Sequence, residues 1–138
     1  MSLFSELALS RRHWIDTVLI PWCKAAPRKE LLLAEREWID IAGRPSPEAT
    51  LWLWAWSRFP VLYDPQLPSI NETRAVTVYC LNGNRASGYP DARRSHSGQL
   101  HLVDENGKTH GPFSIDEIVR VELVGNDAAP PNGDNGAE

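Results

Sequence analysis

Three histidines, His96, His101 and His110, are the side chains best suited to binding a metal ion. Imidazole nitrogen is a common zinc ligand, so histidines that converge predict a metal site. If Asn106-Gly107 forms a two-residue turn, His101 and His110 share one face of a hairpin, diagonally adjacent, and His96 lies in the preceding loop. The competing interpretation is that solvent-facing strand positions tolerate histidine. We favour it, so the three remain weak candidates and no metal or cofactor is expected.

Residues 91–98, DARRSHSG, contain the compact basic cluster of the C-terminal half. Guanidinium groups bind phosphates and carboxylates, and a nearby aromatic ring adds a stacking surface. The sequence therefore predicts that loop 91–98 contacts a partner, and a solvated loop is the alternative because Asp91 offsets part of the positive charge. The predicted partner-binding residues are Arg85, Tyr89, Arg93, Arg94, His96 and, from the N-terminal half, Trp54.

No set of residues predicts catalysis. Glu35 and Glu37 are two positions apart, so on a helix they do not share a side and are poor partners for acid–base chemistry. The chain contains no GxSxG, Walker, GxGxxG or HExxH motif. Cys23 follows a tryptophan in an apolar context, which favours a packed thiol over a nucleophile. We therefore expect a protein that is not an enzyme.

Composition and charge limit the class of partner. The chain has 138 residues, 42% apolar and 23% charged, with a formal net charge of −4. Residues 74–124 contain six basic and six acidic side chains, without the basic excess typical of nucleic-acid binding. A protein partner is favoured, and RNA bound through Arg85, Arg93 and Arg94 is the alternative. The N-terminus lacks a signal-peptide layout and no apolar run could span a membrane, so a cytoplasmic protein is expected.

The elements that position these residues begin with helices. All six tryptophans lie within the first 56 residues, and residues 1–59 are predicted to form three helices. In the first, Trp14, Val18 and Trp22 recur at helical spacing, and Pro21 is expected to kink or end the helix. The second begins at Pro27 and ends at a capping glycine, Gly43.

The stretch LWLWAWSRF, residues 51–59, is predicted to be the third helix. Ser46-Pro47 is a typical start, and Phe59-Pro60 a typical stop. A helix that is apolar nearly all round is usually buried on more than one side. We expect the stripe of Trp52, Trp56 and Phe59 to meet the first two helices, and the Trp54 side to meet the second half of the chain or a partner. A small-ligand site between this helix and the second half, near Trp54 and Tyr63, is the remaining alternative.

The second half changes to a period of two. A proline-rich linker over 60–73 precedes five short strands between 74 and 124, with turns at Asn82-Gly83 and Asn106-Gly107. Gly88 predicts a bulge or sharp bend, a helical turn at 114–117 precedes the last strand, and Val119 is expected to face inward with Val121. The acidic tail over 125–138 has no large aliphatic residue and is predicted to be disordered.

Residues 76–123 resemble the SH3-like and Sm-like small barrels in the order and length of their strands. LNGNRASGYPDARRS and GPFSIDEIVRVEL also resemble, more faintly, the Rho-binding antiterminator family of bacterial Sm-like proteins. The resemblance implies a five-stranded barrel for these residues. Together with the three helices predicted for residues 1–59, it predicts an α+β protein in which a tryptophan-rich helical region packs on that barrel. In such barrels the loops at the sheet ends often hold the ligand, which implies a regulatory adaptor that binds its partner through loop 91–98. The alternative function is a small-ligand or metal-binding protein, with a site near Trp54 and Tyr63 or on the His101/His110 face.

Overall fold

A computed structural model describes residues 3–43 and 45–124, and shows an α+β protein with helices first and a five-stranded antiparallel sheet second. The predicted tail at 125–138 lies outside the described residues. The helices are α1 Leu3–Trp14, α2 Ile20–Ala25, α3 Arg28–Arg36, α4 Trp38–Ala42 and α5 Leu51–Trp56. The strands are β1 Val76–Cys80, β2 Arg85–Pro90, β3 Gln99–Val103, β4 Thr109–Ser114 and β5 Ile118–Leu123.

The first helical segment does not end at Pro21. A π-helical turn, Ile15–Leu19, joins α1 to α2, and Pro21 occupies the first turn of α2. Proline has no N–H and crowds the preceding turn, and the wider π turn directly before it absorbs that disruption. The chain therefore continues as a helix to Ala25.

The second helical segment has the predicted apolar side and the predicted glycine at its end, but it is interrupted by a break that was not predicted. Leu31 and Trp38 are buried, and Gly43 ends α4 with a positive φ of 92°. At Glu37, however, φ and ψ are −111° and 19°, so α3 and α4 are separate helices.

The LWLWAW segment is helical, as the capping pattern predicts. Ser46 accepts a hydrogen bond from the Glu48 N–H at the start of a 3₁₀ turn, Pro47–Ala49, that leads into α5. The two apolar sides of α5 are, however, reversed relative to the prediction that the Trp52 side meets the first two helices and the Trp54 side meets the second half or a partner. Trp52 packs against Gly98 of the second half, whereas Trp54 packs edge-to-face on Trp38 with the ring centroids 6.1 Å apart.

The sheet has the strand order β4-β3-β2-β1-β5. Only three residues connect β4 to β5, although these strands lie at opposite edges. Four strand spacings of a flat sheet measure about 19 Å, whereas that connection spans at most about 14 Å. The sheet must therefore curl strongly, although within residues 76–123 no ladder joins β4 to β5 and the sheet is not closed.

The connection from β4 to β5 is a tight turn and not the predicted helical turn. The Glu117 N–H donates to the Ser114 carbonyl, and the Glu117 carboxylate in turn accepts from the Ser114 N–H. Beyond it, Tyr79 pairs with Arg120 and Cys80 with Ile118, which leaves Val119 as the extra residue of a bulge. The expectation that Val119 faces inward is therefore wrong, and 51% of this residue is exposed.

Gly88 lies where β2 changes partners. It is the last residue of β2 to pair with β1, and Tyr89 is the first to pair with β3. A Cβ at Gly88 would come within 2.8 Å of the Val103 carbonyl oxygen, so glycine is required by this close approach.

Both halves contribute to one hydrophobic core. Trp52, Leu31 and Leu51 from the helices and Val78 and Leu100 from the strands are among its fully buried members. The proline-rich stretch over 60–73 also enters this core, because Leu62 and Ile70 are buried. The helical region is therefore packed on the sheet through shared apolar side chains.

Candidate functional site

In the first part of loop 91–98, Arg93 and Arg94 are exposed, as partner-binding residues would be. Asp91 stabilises its turn by accepting hydrogen bonds from the Arg93 and Arg94 backbone N–H groups. The Arg94 guanidinium donates to the Thr109 hydroxyl at 2.7 Å and lies 3.6 Å from the Asp91 carboxylate. Within the described ranges, the Arg93 side chain makes no hydrogen bond or ion pair.

Arg93 and Arg94 line an open pocket of about 550 Å³ whose wall also contains Asp91 and Glu72. The Glu72 carboxylate accepts from the Ala92 N–H at 2.7 Å. Two carboxylates therefore face two guanidinium groups, and the positive potential needed to hold a phosphate is largely cancelled.

Ser97 and Gly98, at the end of the loop, connect the sheet to the helices through hydrogen bonds and close packing. Arg28 donates from Nε to the Ser97 carbonyl at 2.7 Å, and Glu48 accepts from the Ser97 N–H at 3.0 Å. Burial raises the pKa of Glu48, while the Ser97 N–H acts in the opposite direction. A Cβ at Gly98 would come within 2.7 Å of the Trp52 ring. Residues 97–98 therefore have an internal structural role and Ser95 is buried, which leaves the exposed side chains of Arg93, Arg94 and His96 for a partner.

The other predicted partner residues lie in separate places. His96 is exposed and lines a narrow cleft of about 130 Å³ between the helices and the loop, together with Leu53 and Trp56. Tyr89 lines a different groove, of about 350 Å³, with Asp104 and Glu105.

Arg85 belongs to the outward face of the sheet. It pairs across the ladder with Tyr79, which pairs in turn with Arg120. The Arg120 guanidinium carbon lies 3.9 Å from the Tyr79 ring centroid and its Nε donates to Glu122. One face of the Tyr79 ring is thus already covered by an arginine.

The histidine hypothesis required a register that the hairpin does not have. Among the residues that connect β3 to β4, 104–108, only Gly107 has a positive φ. A two-residue type I′ turn at Asn106-Gly107 would need a positive φ at both positions. The Asp104 N–H donates to the Lys108 carbonyl, so the loop between these two residues contains three residues, 105–107. With this loop, β3 pairs with β4 so that Leu102, not Val103, opposes His110. A slip of one residue reverses the face, so His101 and His110 do not share one.

The histidines instead make separate local contacts. His110 Nε2 lies 2.9 Å from Asp104 Oδ2, and this bond lowers the pKa of the Asp104 carboxyl. The His101 backbone N–H donates to the Ser95 hydroxyl. Among residues 3–43 and 45–124, no group of three metal-ligating side chains is close enough to hold an ion.

Trp54 lies against Trp38 of the helical region, and Tyr63 does not line the pocket beside Trp54. Trp54 lines an open pocket of about 370 Å³ enclosed by helical residues and Pro45. On the same side of α5, Arg58 donates to the Cys23 and Ala26 carbonyls at 2.9 and 2.7 Å.

An exposed row of apolar side chains on the first helical segment includes the residues Trp14, Val18 and Trp22, whose helical spacing the sequence shows. Leu7, Trp14, Val18 and Trp22 are 60%, 38%, 50% and 37% exposed. Their spacing of seven, four and four residues aligns them on one face of the continuous helix, and we call them the apolar stripe. Residues 6–14 of α1 are exposed throughout.

The neighbouring face is the one that enters the core. Leu19, Cys23 and Ala26 are buried there. Burial raises the pKa of the Cys23 thiol to about 12, with Arg58 acting in the opposite direction. The sequence shows both faces as apolar rows at helical spacing, and only the position of α5 decides which one is covered.

Within the described ranges, no helix combines the length and the apolar character needed to cross a membrane. No protein-family model matches the chain, and the comparisons with curated proteins and with solved structures find no match.

Proposed function

We propose that this protein is a non-enzymatic interaction module that binds a protein partner through the apolar stripe. The observation that carries the proposal is the alignment of Trp14, Val18 and Trp22 on one face with substantial exposure. Contiguous exposed apolar patches are uncommon on soluble monomers and often mark interfaces. Tryptophan is also the residue most enriched among those that dominate binding energy.

The shape of the stripe favours a partner that presents an apolar helix. From Leu7 to Trp22 it extends roughly 20 Å along the axis, since an α-helix rises 1.5 Å per residue and the wider π turn at Ile15–Leu19 shortens this slightly. Side chains spaced by four and seven residues form the ridges that pack into the grooves of a second helix. The adaptor role expected from the sequence is thereby retained, but its main binding surface moves from loop 91–98 to the helix.

We retain the small-barrel assignment for residues 76–123 as part of the proposal. The order β4-β3-β2-β1-β5 and the short β4–β5 connection support it, because they require a strongly curled sheet. The exposed residues Arg93 and Arg94 then provide a second, weaker contact. RNA is disfavoured as the partner because Asp91 and Glu72 line the same pocket.

Site-specific photocross-linking followed by reconstitution tests the proposal. A benzophenone amino acid replaces Val18 in cells that make the protein, and the cross-linked partner is identified, purified and titrated against the chain. Val119 is the matched control position, because it is also valine and is 51% exposed, against 50% for Val18.

We expect a discrete adduct at Val18 and none at Val119. In the reconstituted complex, Trp14→Gln and Trp22→Gln should each weaken binding roughly 30-fold, the equivalent of about 2 kcal/mol for a dominant tryptophan. Equal affinities for wild type and both variants would contradict the proposal. Adducts between two copies of the chain would replace the adaptor role with self-association.

A further inference from the structure

The pocket beside Trp54 has the composition of a small-ligand site. Ile15, Ile20, Ala42 and Pro45 supply apolar walls, and the Trp54 ring supplies an aromatic one. Its volume of about 370 Å³ falls within the range typical of pockets for small molecules, which are mostly apolar with a few polar groups.

The inner polar group of the pocket is already satisfied. The Thr50 hydroxyl donates to the Ser46 carbonyl at 2.6 Å and accepts from Trp38 Nε1 at 3.0 Å. A ligand that enters therefore meets an apolar interior and finds its charged partners at the rim.

An arginine and an aspartate line the rim, and a second arginine lies beside it. Arg12 lines the pocket, and its Nε lies 3.6 Å from the Asp16 carboxylate, with both side chains mostly exposed. Arg11 donates from Nη2 to the Ile41 carbonyl, which places a second guanidinium next to Ala42. Among the described residues, Arg12 and Asp16 line the rim and Arg11 lies beside it, so two guanidinium groups are near one carboxylate. Most of the Arg12 donors remain available to a carboxylate or sulfonate, which favours an anion.

From these features we infer that the pocket binds a small, flat, apolar anion, with its ring against Trp54 and its anionic group at Arg12. This binding of a small ligand is separate from the proposed binding of a protein partner. The helix presents Ile15, Ile20 and Arg12 to the pocket, and a different face carries Trp14 and Trp22.

Two dyes that differ in charge test the inference on the purified full chain. The probes are 8-anilinonaphthalene-1-sulfonate, an apolar anion, and N-phenyl-1-naphthylamine, its uncharged relative, and both fluoresce in apolar sites. Ala42→Phe and Ile20→Phe each fill the pocket from a different wall, so a fold defect in one leaves the other to be measured. Circular dichroism checks the fold of each variant.

We expect the sulfonate to bind more tightly than the uncharged dye, and at least one folded filling variant to weaken both dyes tenfold or more. Arg12→Gln should weaken only the sulfonate, about three- to tenfold, and Arg85→Gln, a matched exposed arginine on the sheet, should have no effect. The inference is overturned if the wild type binds no sulfonate, or if the folded filling variants bind it unchanged.

Two further results would also overturn it. Loss of sulfonate binding in Trp22→Gln would place the dye on the apolar stripe instead of in the pocket. Equal affinity for the two dyes, unchanged by Arg12→Gln, would show that the pocket does not prefer an anionic ligand. The stripe variants affect protein binding and the filling variants affect dye binding, so failure of this inference is distinguishable from failure of the proposed function.

Discussion

Arg58→Met should destabilise the fold strongly, because Arg58 closes the end of α2. Its guanidinium donates three hydrogen bonds, to the carbonyl oxygens of Cys23, Ala26 and Ala55. The last carbonyls of a helix have no partner within it, and a cation at that end also interacts favourably with the helix dipole. Methionine keeps an apolar stem of similar length, so the change removes mainly the donors and the charge.

The expected loss follows from those three bonds. A hydrogen bond from a charged donor contributes about 1.5 kcal/mol at the low end of its range, and three give about 4.5 kcal/mol. Arg58 is only half-buried, so water replaces part of this. We therefore expect the free energy of unfolding to fall by about 2–4 kcal/mol, with Arg58→Lys in between because an ammonium group reaches fewer carbonyls.

Urea denaturation followed by far-UV circular dichroism measures this change. Arg36→Met is the control, because Arg36 is an exposed arginine on α3 and its substitution should change stability by less than about 0.5 kcal/mol. A loss below about 1 kcal/mol for Arg58→Met, or a loss equal to that of the control, would refute the role given to these hydrogen bonds.

Three further predictions concern other parts of the fold. Gly88→Ala should lower the free energy of unfolding by about 1–3 kcal/mol in urea denaturation, because its Cβ would come within 2.8 Å of the Val103 carbonyl oxygen; a loss below about 0.5 kcal/mol would contradict this close approach. Because the folded pKa of Glu48 is raised, the native state holds its proton longer than the unfolded chain, so stability should fall as the pH rises from about 4.5 through that pKa. Glu48→Gln should flatten this part of the pH profile while still accepting from the Ser97 N–H, and an unchanged slope would contradict the assignment. Cys23 should resist iodoacetamide at pH 8 in the native protein and react in urea, as mass spectrometry will show; rapid native labelling would refute its burial.

Local signals predicted the elements of this fold well. Ser46-Pro47 and the glycine at 43 mark helix ends because capping depends on a few adjacent residues. The Asn-Gly pairs likewise mark both hairpins. Their loop length was not predicted, since a single positive φ at the glycine gives a three-residue loop, and one residue of register decides which face a histidine occupies.

The faces of the helices depend on packing that no local pattern contains. The helix from 3 to 25 has two adjacent apolar rows, and α5 has apolar residues nearly all round. Which row is covered depends on where α5 and the sheet lie, as the reversed sides of Trp52 and Trp54 show. The candidate binding surface was therefore missed, because Trp14 and Trp22 resemble core residues in sequence.

Cross-linking from position 18, compared with position 119, decides whether the apolar stripe binds a specific protein. We expect one discrete heterologous adduct from Val18, absent from Val119 and lost when Trp14 and Trp22 are both changed to glutamine in a chain that still folds. Similar adducts from both valines, or an adduct that survives the loss of both tryptophans, would contradict the claim that the apolar stripe is a specific protein-binding surface.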